Sequence, residues 1–332
     1  MKQLLLLLIV ACLFACEASH RDFPHVQDIG KLPQTNMLAT LDDPLDAQKN
    51  QLYCATHSTA WHNKAGSFGP TYVDAQFPEL HRLYANNAWE SALLPEEIHT
   101  SVEVLGDQIR ASASFDKALP FEFKFQRNKR DMAFGGTPVE SFGIVGTRDD
   151  AEQQVRVLFY NSSEEFAVRL RPEDSNHEIV LYMPENKEPQ TLWALVEQLN
   201  QMREHHSQRH GWRYEYTSDD ELSVPVLEFN LGKTYASMLG NDFWSKDEEV
   251  YYVENVYQRI ALVLDEQGAK IESEAVMEAA AAEAPAELED KPEPKRLVYD
   301  RPFLLLLQRI ALHIAIYQAF PAHQTLPFNG VG

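Results

Sequence analysis

The chain has 332 residues, 44% of them hydrophobic and 24% charged, which is enough apolar content for one large core or two modest ones. Lys and Arg total 29 against 50 Asp and Glu, a formal charge of -21 with no basic run, so a nucleic-acid backbone or an anionic membrane surface would be repelled. With 14 Gly and no P-loop, dinucleotide or nucleophile-elbow pattern, the composition points away from common enzyme classes, and no cofactor is expected.

The N-terminus reads as a charged start at Lys2, an apolar stretch from Leu4 to Phe14, then Ala15-Cys16. This pattern predicts a signal peptide over residues 1–16, and Leu13-Phe14-Ala15-Cys16 resembles a lipobox with Cys16 as the lipidated residue. Ile9-Val10-Ala11-Cys12 is an alternative with a shorter apolar core. The greasy run is too short for a comfortable span, which needs roughly 20 apolar residues. The expected location is therefore the cell envelope or the outside, with membrane contact through the lipid only. With Cys16 lipidated and Cys12 removed, Cys54 is the one remaining cysteine and no intrachain disulfide framework is expected. Residues 17–48, polar and interrupted by Pro24, Pro33 and Pro44, are predicted to be a tether, and residues 49–332 the folded domain.

From Asn50 the pattern becomes regular, with a short strand feeding a helix at Ala55 to Trp61. Short β-type runs follow at Val102–Leu105, Ile109–Phe115, Glu122–Phe125, Val155–Tyr160, Phe166–Leu170 and Ile179–Met183. Leu192, Leu195, Val196, Leu199 and Met202 recur at helical spacing and predict an amphipathic helix from Gln190 to about His206. Strands are expected again at Val224–Leu231, Glu249–Val256 and Ile260–Leu264, with a short helix around Lys233 to Leu239. The fold class is α+β, with large, mainly antiparallel sheets, helices and an exposed loop.

Residues 272–296 are dominated by Ala, Glu, Pro and Lys and cannot anchor themselves in a core. Beyond them Phe303–Leu307 and Ile310–Tyr317 form nearly continuous apolar runs of the kind buried central strands show. Counted from Ala269, one face of the preceding stretch carries Ala269, Ile271, Ser273, Ala275, Met277, Ala279 and Ala281. The other carries Lys270, Glu272, Glu274, Val276 and Glu278. That is the alternation of a half-buried strand.

The order of an acidic turn, Asp265-Glu266-Gln267-Gly268, an alanine-rich loop, and Arg301-Pro302-Phe303 opening a buried hairpin resembles the C-terminal end of serpins. Ser223 to Phe229 with Tyr235 and Leu239, Phe115 with Pro120-Phe121, the runs Val139–Phe142, Val155–Tyr160 and Glu178–Pro184, and the opening Asn50–Thr59 are similar to further serpin segments. The resemblance runs from about Asn50 to Phe320, is strongest beyond Ser223, and is that of a divergent, N-terminally shortened, bacterial-type lipoprotein member.

It implies a serpin-like α+β fold with a reactive loop at about 268–301. It implies an inhibitor of serine or cysteine proteases, not an enzyme, that acts when the cleaved loop enters a β-sheet before the acyl-enzyme is hydrolysed. The alternative is a non-inhibitory binding lipoprotein of the same fold. The implied hinge comprises Glu266, Gly268, Ala269, Ile271, Ser273 and Ala275. Counting forward from the hinge puts the scissile bond at Ala282-Glu283, which suits an elastase-like protease; counting back from Pro302 puts it near Lys291. His206 and His210 are spaced to share a helix face, yet no Cys or carboxylate motif accompanies them, and with His205 they are read as a solvated helix end rather than a metal site. His57 and His62 are read as a packed histidine and a loop residue.

Overall fold

A computed structural model describes residues 23–46, 48–61, 72–85, 99–105, 108–114, 116–144, 149–185, 190–206, 209–245, 247–272, 293–309 and 317–319. Two sheets make the body. The larger has seven strands in the order Val155–Ser162, Glu165–Leu170, His177–Met183, Leu304–Arg309, Tyr317–Ala319, Asn50–Tyr53 and Thr35–Leu38. The second has five, in the order Gln27–Asp28, Leu227–Thr234, Tyr257–Asp265, Gly268–Glu272 and Asp116–Pro120. A four-stranded sheet, Arg296–Val298, Glu221–Pro225, Ser141–Ile144 and Gln126–Arg127, adds Phe142, Ile144, Leu222, Val224 and Leu297 to the core.

The inner faces of the two large sheets share one core. Phe166, Val168, Leu170, Ile179 and Leu181 meet Phe229, Leu231, Ile260, Leu262 and Leu264 there. The helix Leu192–His206 covers the other face of the seven-stranded sheet, packing Leu192, Leu195, Val196 and Leu199 on Phe159, Val180, Tyr182 and Leu306. With both faces covered, the middle strands cannot alternate polar with apolar, which is why His177–Met183 is buried throughout.

Five expectations need correction. The proposed tether, residues 17–48, is not a tether where it is described. Thr35–Leu38 pairs in parallel with Asn50–Tyr53, and Met37, Leu38, Ala39 and Leu41 are buried. The apolar stripe outweighs the punctuation by prolines, and the folded body begins before residue 49. Glu122–Phe125 is not a strand but a crossing after Asp116–Pro120, with Phe121 and Phe125 turned into the core. Val224–Leu231 is two strands, because the chain changes sheets at Val226, where the backbone N–H bonds to Glu140 O and Pro225 closes the first ladder. The short helix expected at Lys233 to Leu239 is a single 3-10 turn, Ala236–Met238, and Glu249–Val256 shortens to Val250–Tyr252. Of the second C-terminal run, residues 310–316 lie outside the described residues.

Candidate functional site

The chain turns at Glu266-Gln267, from the Tyr257–Asp265 strand into Gly268–Glu272. Several bonds hold this turn in place. The Asp265 carboxylate accepts from Gln267 N at 2.8 Å; the carbonyls of Gln267 and Glu266 accept from Phe121 N and Phe125 N at 2.8 and 2.9 Å. Arg127 grips the Glu266 carboxylate through Nε and Nη2 at 2.7 and 2.6 Å, reaches Glu140 at 2.6 Å, and Lys124 adds a second cation at 3.5 Å. Burial alone would raise the Glu266 pKa, but its backbone bond and the Arg127 guanidinium outweigh that and hold it below the ordinary value. The start of the loop is thus a fixed point.

Gly268–Glu272 is hydrogen-bonded on both sides. It runs antiparallel to Tyr257–Asp265, with Ala269 opposite Leu264 and Ile271 opposite Leu262. It also runs antiparallel to Asp116–Pro120, with Ala269 opposite Leu119 and Ile271 opposite Lys117. Ala269 and Ile271 are 0% and 1% exposed and face the shared core; Lys270 faces the other way, with its ammonium 4.7 Å from the Phe23 ring centre. Gly268 has φ +139, and a Cβ there would stand 2.3 Å from Leu119 O, so both backbone angle and close approach require glycine.

The last described pair of this strand is Glu272 opposite Ala261, while Tyr257–Asp265 goes on pairing with Leu227–Thr234 on its other side as far as Tyr257. Among the described residues nothing pairs with that edge from Tyr257 to Ile260. Below it lies a polar knot. Gln258 donates to Cys54 O and Thr56 Oγ1, both at 3.1 Å, and accepts from Tyr235 OH at 2.7 Å, which also reaches Leu38 O at 3.2 Å. The His57 ring lies tilted against Tyr235, with ring centres 4.6 Å apart; burial, and then the charge of Lys233, push its pKa down to about 4.

The far end of the loop is anchored as firmly. Lys295 is 1% exposed, with Nζ 2.7 Å from Asp220 Oδ2 and 4.8 Å from the Trp212 ring centre. Its backbone N–H bonds to Asp220 Oδ1 at 2.7 Å, and its carbonyl accepts from Glu221 N at 3.0 Å. Arg296–Val298 then joins the four-stranded sheet, and Tyr299 OH bonds to Leu181 O at 3.0 Å before Phe303 enters the core.

Of the hinge residues expected from sequence, Glu266, Gly268, Ala269 and Ile271 are brought together at the turn and the strand after it. Ser273, Ala275, the scissile candidates Ala282, Glu283 and Lys291, and the lipidation candidate Cys16 lie outside the described residues. Sequence reasoning missed Arg127, Asp220 and Lys295. Their partners lie far off in sequence, and the single signal was a lysine closing a low-complexity run before a buried strand. His206, expected at a solvated helix end, is instead buried: its ring stacks on Phe159 and pairs through Nδ1 with Tyr214 OH at 2.8 Å.

No family model matches the chain, and no curated protein matches it. Among solved structures, cleaved serpin 42Da aligns at 13% identity over 83% of this chain and 68% of its own, with a TM-score of 0.41. Human thyroxine-binding globulin complexed with thyroxine aligns at 16% identity over 65% and 57%, with a TM-score of 0.33. SRPN18 from Anopheles gambiae aligns at 15% identity over 63% and 55%, with a TM-score of 0.36. The chain thus spans little more than half the length of two of these three proteins. The described sheets and helices make it an α+β protein, and its likeness to these structures is at low sequence identity.

Proposed function

We propose that the protein inhibits a serine or cysteine protease by offering its loop for cleavage and inserting the cleaved end as a strand of the five-stranded sheet. One observation carries the reading: Gly268–Glu272 already stands as a strand between two neighbours, antiparallel to both, and points along an edge that runs on to Tyr257. Insertion in the same register would bring Ser273 opposite Ile260 and Ala275 opposite Gln258, with the small residues on the core face. Glu274 would then come opposite Arg259 on the outer face.

Both ends of the loop are fixed, by Arg127 at Glu266 and by Asp220 at Lys295, so an intact loop cannot travel down the sheet. Cleavage releases the first end from the second. The freed strand then gains backbone bonds and buried area that the intact chain is barred from by connectivity, a strain held behind a kinetic barrier. Ile271, large for a hinge, is accommodated at 1% exposure opposite Leu262, so its size is no obstacle to insertion.

The same proposal includes cleavage at Ala282-Glu283 by an elastase-like protease and anchoring through a lipid on Cys16. Incubation with elastase-like and trypsin-like serine proteases, followed by denaturing electrophoresis, tests it. An SDS-stable adduct of protease and protein supports the mechanism, and clean cleavage with full retention of protease activity refutes it. A ligand bound without any adduct would favour the binding-lipoprotein alternative.

A further inference from the structure

A cavity of about 1010 Å³ opens between the C-terminal end of the helix Leu192–His206 and the edge of the seven-stranded sheet. Five arginines line it: Arg156, Arg169, Arg171, Arg203 and Arg209. In a chain with 29 basic residues against 50 acidic ones, this concentration runs against the charge of the chain as a whole. Glu122, Glu173 and Glu204 also line the cavity, and buried Glu178 lies behind it, so the arginines still outnumber the carboxylates.

The arrangement is costly as a purely structural one. Arg156 and Arg169 stand directly opposite each other on antiparallel strands, where like charges destabilise a sheet. Glu178 meets Arg203 at 3.0 Å and Arg169 at 3.5 Å, and these two guanidiniums are only 26% and 17% exposed. Even so, Arg169 Nε and Arg203 Nη1 are buried donors without a hydrogen-bond partner among the described residues. Unsatisfied guanidinium donors are rare in folded interiors, and planar forks of this kind match the oxygens of a multivalent oxyanion.

We propose that this cavity binds a phosphate-type oxyanion of two or more charges, held by Arg156, Arg169, Arg171 and Arg203. Bound there, the anion supplies acceptors for the unpartnered donors and removes the repulsion between Arg156 and Arg169. The oxyanion can belong to a free phosphate compound or to a phospholipid headgroup; the chemistry of the pocket is the same for both.

The test titrates the full chain with sub-millimolar pyrophosphate at constant ionic strength, by calorimetry and by thermal unfolding. Arg156→Gln, Arg171→Gln and the remote exposed control Lys129→Gln are compared with the wild type. Each pocket substitution is expected to weaken pyrophosphate at least tenfold, as loss of a charged hydrogen bond implies, and the control to leave it unchanged. Without pyrophosphate, Arg156→Gln is expected to unfold at the same temperature as the wild type or higher, since it relieves a like-charge pair. Flotation with phosphatidic acid vesicles against phosphatidylcholine vesicles separates the two sources: binding to pyrophosphate alone assigns a free phosphate, and binding to phosphatidic acid vesicles assigns a headgroup. If neither probe binds, or if Arg156→Gln binds normally and is destabilised with and without the anion, the arginines are a structural ion-pair cluster and the proposal is wrong.

Discussion

Replacing Ser273 with Arg separates an inserting strand from an exposed linker. In the extended register Ser273 falls opposite Ile260, on the face where Ile260, Leu262 and Ile271 are at most 1% exposed. A guanidinium forced under that face has no partner, and an uncompensated buried charge costs about 3–5 kcal/mol. If most of that is felt at the insertion step, insertion slows by about 10²–10³-fold, since 1.4 kcal/mol is about tenfold in rate. Hydrolysis of the acyl-enzyme then wins, and the inhibitor becomes a substrate. Glu274→Arg introduces the same side chain one residue on, opposite Arg259, where it replaces an attraction by a repulsion worth about 0.2–1 kcal/mol, roughly fivefold in rate or less. The assay is the partition ratio, moles of variant cleaved per mole of protease trapped. A rise of two or more orders for Ser273→Arg, with little change for Glu274→Arg, is expected; equal ratios would refute the register and the insertion it describes.

Other outcomes follow from the anchors and from the knot below the sheet. Gly268→Ala should lower stability by about 2–4 kcal/mol in denaturant unfolding, because the new Cβ meets Leu119 O at 2.3 Å and the residue keeps a left-handed φ. Lys295→Ala leaves Asp220 buried without its cation and should cost about 3–5 kcal/mol, whereas the double variant Lys295→Met/Asp220→Asn, which removes both charges and keeps an acceptor for the backbone N–H groups of Thr217 and Lys295, should recover part of that. His57 has its pKa depressed by burial, so the unfolded chain takes up the proton first. Its contribution is therefore complete above the unfolded value of about 6.5 and is lost as pH falls towards 4, about 2–3 kcal/mol for a ring that keeps some surface exposure. His57→Gln should flatten the pH dependence of stability in that window, and an unchanged slope would show that another group titrates there.

The readings taken from the sequence succeed where one local pattern decides the outcome. Strands such as Val155–Ser162 and His177–Met183, and the helix Leu192–His206, are long and strongly patterned, and the α+β build follows from their order. The alternation at Ala269 and Ile271 needs no tertiary knowledge, because a two-residue period is set by the pleat itself. Readings fail where composition and topology disagree. The prolines and polar residues of 17–48 suggested a tether, but Met37, Leu38 and Leu41 find a core that only the distant Asn50–Tyr53 strand completes. The strand break at Val226 is set by the approach of Glu140, and Arg127, Asp220 and the arginine cavity are assembled from separate segments, so no window of sequence holds them.

The most direct test of the central claim is the thermal unfolding of the protein before and after limited cleavage between Met277 and Glu287. If the freed hinge extends down the edge from Ile260 to Tyr257, the nicked protein gains a strand's worth of backbone bonds and buried apolar surface. Its midpoint then rises by well over the roughly 2–4 °C expected from a single kcal/mol in a domain of 150–250 residues. An unchanged or lower midpoint in the nicked protein would mean that the sheet does not accept the loop, and the inhibitory mechanism would be excluded.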